Sequence, residues 1–219
     1  MTYKVAKINE QFNFNDTWQQ GQWSQTESLE MTNYIGGKPA HFPKTQAKVL
    51  YDDENIYVFF TVEDKYVRSV ATAHHGEVWK DSCVEFFFTP GEDISQGYFN
   101  VEANCGGFIL LNHQTLRGVE TQTIDVADIH KMTIEHSMPN SVTPEIAEPT
   151  TWTLKYALPL AVIEKYAPFK KPAPGVKWRA NFYKCADDTS HPHWLTWSAI
   201  EKTKLDFHLP QYFGTIEFE

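Results

Sequence analysis

Trp79 and Glu85 stand six positions apart, an even spacing that turns both side chains to one face of a sheet if the segment between them is extended. Asn100, Glu102 and Asn104 alternate in the same way along the run Tyr98–Asn104. They therefore share a face of the next strand candidate. Two further tryptophans, Trp194 and Trp197, lie late in the chain. An indole offers a broad apolar face, and a carboxylate or primary amide can hold two neighbouring hydroxyls through paired hydrogen bonds. That is chemistry of non-covalent capture. Covalent chemistry has little support, because no GxSxG, Walker A or HExxH pattern occurs. His74-His75 and His191-Pro192-His193 are short imidazole clusters, but spacing specifies no third ligand beside either, so neither reads as a zinc site. There is no CxxC, and Cys83, Cys105 and Cys185 are too far apart in sequence to indicate a disulfide framework.

The elements that must position these residues read as strands. Ala47–Tyr51 and Ile56–Val62 flank the acidic turn Asp52-Asp53-Glu54-Asn55 and predict a hairpin. Further strand candidates are 83–88, 97–104, 107–112, 131–137, 151–157, 177–185 and 214–219. One short helix is expected over Pro159–Tyr166, opened by its proline. Pro139–Pro149, with three prolines, and the Lys/Pro-rich Phe169–Gly175 read as loops. Many short strands and little helix predict an all-β fold, an antiparallel β-sandwich of jelly-roll or immunoglobulin-like type, in a single domain over residues 1–219.

Composition narrows the partners. Hydrophobic residues make up 42% of the chain, enough for a sizeable core, and aromatics reach 15%. A formal charge of −9 argues against nucleic acid or an anionic membrane surface, since phosphate binding needs a basic face. Apolar runs such as Phe108–Leu111 are four residues long, far short of a membrane span. The first ten residues contain no apolar signal-peptide core. This fits a cytoplasmic protein, or a chain that begins after a removed leader and is secreted or periplasmic. Oligomeric state is not legible.

Taken in order, six fragments carry a resemblance. Val49–Val58 resembles a strand, acidic turn and "LYV" hairpin, and Val78–Phe87 resembles the motif "W-x-D-D-S-V-E-V-F". Tyr98–Asn104 followed by Gly107 looks like "Y-x-F-x-x-N-x-x-G", and Trp152–Pro159 is similar to "W-T-x-E-x-A-I-P". Trp178–Tyr183 matches "W-R-x-N-F-x-R", and Trp197-Ser198 with Phe207–Gly214 matches "W-S…F-H-x-P-x-x-F-G". Together they resemble carbohydrate-binding modules of family 9 and the wider DOMON-related sugar-binding sandwiches, over roughly residues 45 to 219. Departures are Cys83 at a position usually small or aliphatic, Lys184 and Cys185 where a polar loop usually begins, and Asp81 alone, after Lys80, where an acidic pair is usual.

The resemblance implies a non-catalytic protein that stacks a terminal sugar ring between Trp79 and a late tryptophan. Trp194, placed in a polar loop, is preferred over Trp197. Glu85, Asn100, Glu102 and Asn104 would bond the hydroxyls, with Arg179 as an alternative, structural partner for Glu85 and Asn181 read as structural. Such modules support polysaccharide degradation or uptake and are often attached to glycoside hydrolases. The resemblance also implies structural Ca²⁺, for which Asp52, Asp53, Asp64 and Asp81 are the candidate oxygen ligands. Two other readings stay open: a glycan-acting hydrolase using paired carboxylates or its accessory subunit, and a DOMON-type haem sandwich, with Met132 beside His130 or His136 as axial candidates.

Overall fold

Period-two alternation of apolar side chains sets the architecture, because each strand sends one row inward and the other outward. The computed structural model describes residues 1–219. The first part of the chain forms β1 (Thr2–Lys7), β2 (Leu29–Glu30), β3 (Asn33–Tyr34), β4 (Lys44–Tyr51), β5 (Asn55–Asp64) and β6 (Val67–Ser69). The middle forms β7 (Cys83–Thr89), β8 (Tyr98–Asn104), β9 (Ile109–Gln114), β10 (Gln122–Thr123), β11 (Thr133–His136) and β12 (Val142–Ile146). The last part forms β13 (Thr150–Pro159), β14 (Lys177–Cys185), β15 (Trp194–Thr196) and β16 (Gly214–Phe218). Three short helices, α1 (Gly21–Gln25), α2 (Val126–Ile129) and α3 (Leu160–Tyr166), complete the regular structure.

The strands make the two layers of a β-sandwich. One layer runs β10-β9-β8-β7-β14-β16-β1 and the other β1-β4-β5-β13-β11. β1 belongs to both, since Thr2–Val5 pair with β16 whereas Ala6 and Lys7 pair with β4. Both pairings of β1 are parallel, an exception to the antiparallel expectation. Between the layers, Val84, Phe86 and Phe88 of β7 meet Phe99 and Val101 of β8 and Trp178 and Phe182 of β14, with Val58, Phe60, Trp152 and Leu154 from the facing sheet. The rings stack in sequence, Phe86 on Phe182 at 4.7 Å and Phe88 on Trp178 at 5.3 Å between centroids. Offset aromatic pairs at such separations add to the stabilisation from burial alone.

The outer face of the second layer is covered by the N-terminal segment, where Trp18 and Trp23 pack edge-on against Phe59 at 5.3 Å. The outer face of the first layer is different, because polar residues occupy much of it. Pro139–Pro149, expected as loop, contains β12, which pairs with β6. The helix expected over Pro159–Tyr166 begins at Leu160, and Pro159 ends β13. No helix is long and apolar enough to cross a membrane.

Candidate functional site

The row of side chains that β7, β8 and β9 turn away from the core faces a cleft of about 430 Å³. Register sets the floor: Glu85 pairs directly with Glu102, and Asn100 with Asn112. Gln114 follows two residues after Asn112 on the same face and reaches the cleft. Trp79 and Trp194, both half-buried, line it as well. The late segment Leu205–His208 and Arg117 complete the walls.

The floor is organised before any ligand arrives. The Asn100 amide donates to Glu102 Oε1 at 2.9 Å, and the Gln114 amide donates to Asn100 Oδ1 at 3.0 Å. Gln114 and the Tyr98 hydroxyl both donate to His208 Nδ1, at 3.1 and 2.9 Å. This network assigns the His208 ring hydrogen to Nε2. Burial, with Arg117 nearby, lowers His208 to about 4, so the ring stays neutral near pH 7. The Gln114 carbonyl oxygen accepts from the Gly118 N–H and the Thr121 hydroxyl, which ties down the loop carrying Arg117.

The two carboxylates are deeply set, with Glu85 2% and Glu102 5% exposed. Burial raises Glu102 to about 7, partly offset by the Asn100 amide. Burial pushes Glu85 well above the usual carboxylate range, reinforced by Cys185 and Glu102. The Cys185 thiol donates to Glu85 Oε1 at 3.0 Å, while Glu85 Oε2 has no partner. Two carboxyl groups placed side by side in a low-dielectric floor disfavour double ionisation.

Trp79 reaches the cleft by a route other than the expected extended segment. Val78–Lys80 form a single 3₁₀ turn ahead of β7, so strand parity does not govern Trp79. Its main chain is anchored by its carbonyl, which accepts from the Asp187 N–H at 3.2 Å, with the Cys185 sulfur 3.5 Å away. Trp194 sits in β15 rather than in a loop, paired with Cys185, and its indole N–H donates to Asp187 Oδ1 at 2.8 Å. Burial raises the Asp187 carboxyl despite that bond.

Of the residues singled out in the sequence, Trp79, Glu85, Asn100, Glu102 and Trp194 therefore meet in one cleft. Asn104 and Trp197 do not line it. Asn104 donates to Asp81 Oδ2 at 2.9 Å and to the Ser69 hydroxyl at 3.2 Å, and accepts from the Phe108 N–H at 2.8 Å, bracing the turn after β8. Trp197 is a core residue, edge-on to Phe182 at 5.8 Å. Arg179 is no partner of Glu85, because its guanidinium donates to the carbonyls of Gly214 and Phe213. Asn181 pins the Ser198 main chain with both amide atoms.

The four candidate calcium ligands are not gathered into one site. Asp52 caps the β4–β5 turn by accepting from the Glu54 and Asn55 N–H groups and the Tyr57 hydroxyl, and Asp53 pairs with Lys7 at 2.8 Å. Asp64, at the far end of β5, accepts from Trp152 at 3.1 Å, contacts His41 at 2.7 Å and faces Lys184 at 3.5 Å. Asp81 Oδ2 accepts from the Val70 and Ala71 N–H groups. Oxygens already committed in this way, at separate places, do not fit the six or more ligands calcium takes. The histidine pairs make no metal site either: His74 Nδ1 accepts from the Ile109 N–H, His75 bonds the Ile124 carbonyl, and His193 meets Lys184 at 2.8 Å. Met132 is packed in the core, and His136 bonds the Met138 carbonyl, an arrangement that does not fit axial ligands of a haem.

Asn112, Gln114, Arg117, Asp187 and His208 were not singled out by sequence reasoning. Alternation along Ile109–Gln114 carries a signal for the first two, because Leu110, Asn112 and Gln114 share a face.

The sequence profile of carbohydrate-binding family 9 matches residues 19–218. A protein from Bacteroides uniformis, proposed to bind carbohydrate, has a crystal structure that superposes with a TM-score of 0.86 at 25% identity, covering 100% of this chain and 99% of that one. A family 9 carbohydrate-binding module from Caldicellulosiruptor kristjanssonii, solved with glucose, superposes with a TM-score of 0.65 at 16% identity, covering 100% of this chain and 96% of that one. A structure of such a module from the same organism with cellotriose gives the same score and identity, covering 100% of this chain and 94% of that one. No curated protein matches the chain.

Proposed function

The chain belongs to carbohydrate-binding family 9, and from that premise we propose that the cleft over β7, β8 and β9 binds a sugar ring or oligosaccharide end without cleaving it. One observation carries the reading. Two half-buried tryptophans line a cleft whose floor is the connected row Gln114–Asn100–Glu102 with the buried Glu85 beside it. Buried polar groups arranged this way are costly unless partnered, and a ligand with several hydroxyls supplies the missing partners. Trp79 and Trp194 take the apolar C–H faces. Glu102, Asn100 and Glu85 bond hydroxyls, with Asn112 and Arg117 as further donors. Glucose and cellotriose, present in the Caldicellulosiruptor structures, are the first ligands to test. A calorimetric titration with each, on wild type and on folded Trp79→Ala, tests the reading. Saturable binding lost in the variant supports it, and equal binding in both rejects it.

The direct pairing of Glu85 with Glu102 favours a second reading, glycoside hydrolysis. Directly opposed residues have Cβ atoms roughly 4.5–5.5 Å apart, within reach of the carboxyl spacing of retaining glycosidases. Glu85, held protonated, would be the acid, and Glu102 the group that ionises near neutrality. Release of reducing sugar from oligosaccharides, abolished in both Glu85→Gln and Glu102→Gln, would replace binding with hydrolysis as the function. Unchanged oligosaccharide after prolonged incubation removes this reading.

A further inference from the structure

We propose that Cys83, Glu85 and Cys185 form a site for one thiophilic divalent cation of the zinc type, set in the floor of the cleft. Their ligand atoms all lie within 4.8 Å of one another, and the three residues are buried. Register explains the meeting: Cys83 on β7 is directly opposite Cys185 on β14, and Glu85 follows two residues after Cys83 on the same face. Both thiols are free. Buried cysteines often serve only as small hydrophobes, but these two adjoin a carboxylate that is 2% exposed and whose Oε2 has no partner. A lone carboxyl oxygen beside two sulfurs is an expensive arrangement in the interior. A cation there would engage all three.

The donor set selects the ion. Two soft sulfurs and one oxygen suit zinc or cadmium and exclude calcium and magnesium, which take oxygen ligands. Zn–S bonds of about 2.3 Å and Zn–O bonds of about 2.0–2.2 Å put tetrahedral neighbours roughly 3.4–3.8 Å apart. The three ligand atoms need to move by about an ångström at most. Cys185 and Glu85 line the cleft, whereas Cys83, beside Cys185 on the same face, is fully buried and outside the lining. The fourth position therefore opens toward the cleft, free for water or a ligand hydroxyl. Binding is acid–base only: the two thiol protons, and any proton Glu85 carries, pass to solvent as two metal–sulfur bonds and one metal–oxygen bond form. Glu85 is shared with the sugar reading, but the test below reads the metal alone, so either can fail while the other stands.

The test is titration of the reduced full chain, held in a phosphine reductant, with Cd²⁺ followed by thiolate-to-metal charge-transfer absorption. One equivalent is expected to bind, with affinity rising with pH and Zn²⁺ competing. The band should vanish in Cys83→Ser and in Cys185→Ser and persist in Cys105→Ser, whose sulfur sits elsewhere against the Arg68 carbonyl. Glu85→Gln should weaken Cd²⁺ at least tenfold while circular dichroism reports an unchanged fold. Absence of a thiolate band at one equivalent in wild type overturns the proposal. So does a band that survives loss of either cysteine, or an affinity indifferent to Glu85→Gln, the arm that decides should the serine variants fail to fold.

Discussion

The Trp194 indole N–H donates to Asp187 Oδ1 at 2.8 Å, and the Asp187 main-chain N–H donates in turn to the Trp79 carbonyl at 3.2 Å. One residue of the loop after β14 thus positions both tryptophans of the cleft. Asp187→Ala frees the Trp194 ring without opening the core. A hydrogen bond to a charged group contributes about 1.5–3 kcal/mol, so sugar affinity should fall about tenfold. Isothermal calorimetry measures the loss, and Tm should fall by a few degrees, because the same bond also supports the fold.

Glu102 supplies a pH dependence with a definite sign. Its folded pKa, about 7, exceeds the ordinary value of 4.5. Between those values the folded state binds more protons than the unfolded one, so stability falls as pH rises from about 4.5 to about 7 and is flat above. Glu85, also raised, adds a slope of the same sign. Affinity for a hydroxyl ligand should move the other way, rising through pH 7 as Glu102 ionises and becomes a stronger acceptor. Denaturant unfolding and ligand titration at pH 5.5 and 8 check both signs, and Glu102→Gln should reduce both dependences.

Lys184 is fully buried on the core side of β14, opposite in direction to Cys185. It meets His193 Nε2 at 2.8 Å, the Cys185 carbonyl at 3.0 Å and Asp64 Oδ2 at 3.5 Å. Although burial alone would raise Asp64, Lys184 and His41 hold it well below the usual carboxylate range. Lys184→Met leaves that charge without its buried cation and should cost about 3 kcal/mol. Asp64→Asn in the same background should recover part of the loss. Chemical denaturation measures both, and sugar affinity of the folded fraction should be unchanged.

The long strands were legible because residue type alternates along them, as in Lys177–Cys185, where expected and observed bounds coincide. The floor was legible for the same reason, since Glu85, Asn100 and Glu102 obey strand parity. Parity cannot say how far along a strand the cleft extends. Asn104 shares its face with Glu102, yet it is consumed by Asp81 and the following turn. β1 was missed because its role as the seam between layers depends on both β16 and β4, contacts more than 40 residues away in sequence. Asp187 and His208 were illegible for a similar reason: they enter the cleft on irregular segments whose paths are set by tertiary hydrogen bonds.

If Trp79 and the Glu85–Glu102 floor form one sugar site, loss of either must weaken binding. The most direct measurement is a calorimetric titration of wild type, Trp79→Ala and Glu102→Gln with glucose and cellotriose at pH 7.5. Wild type is expected to bind at least one of the two saturably, with affinity weakened at least tenfold, about 1.4 kcal/mol, in each variant while both remain folded. Wild-type binding that neither substitution alters would contradict it, as would no binding of either sugar.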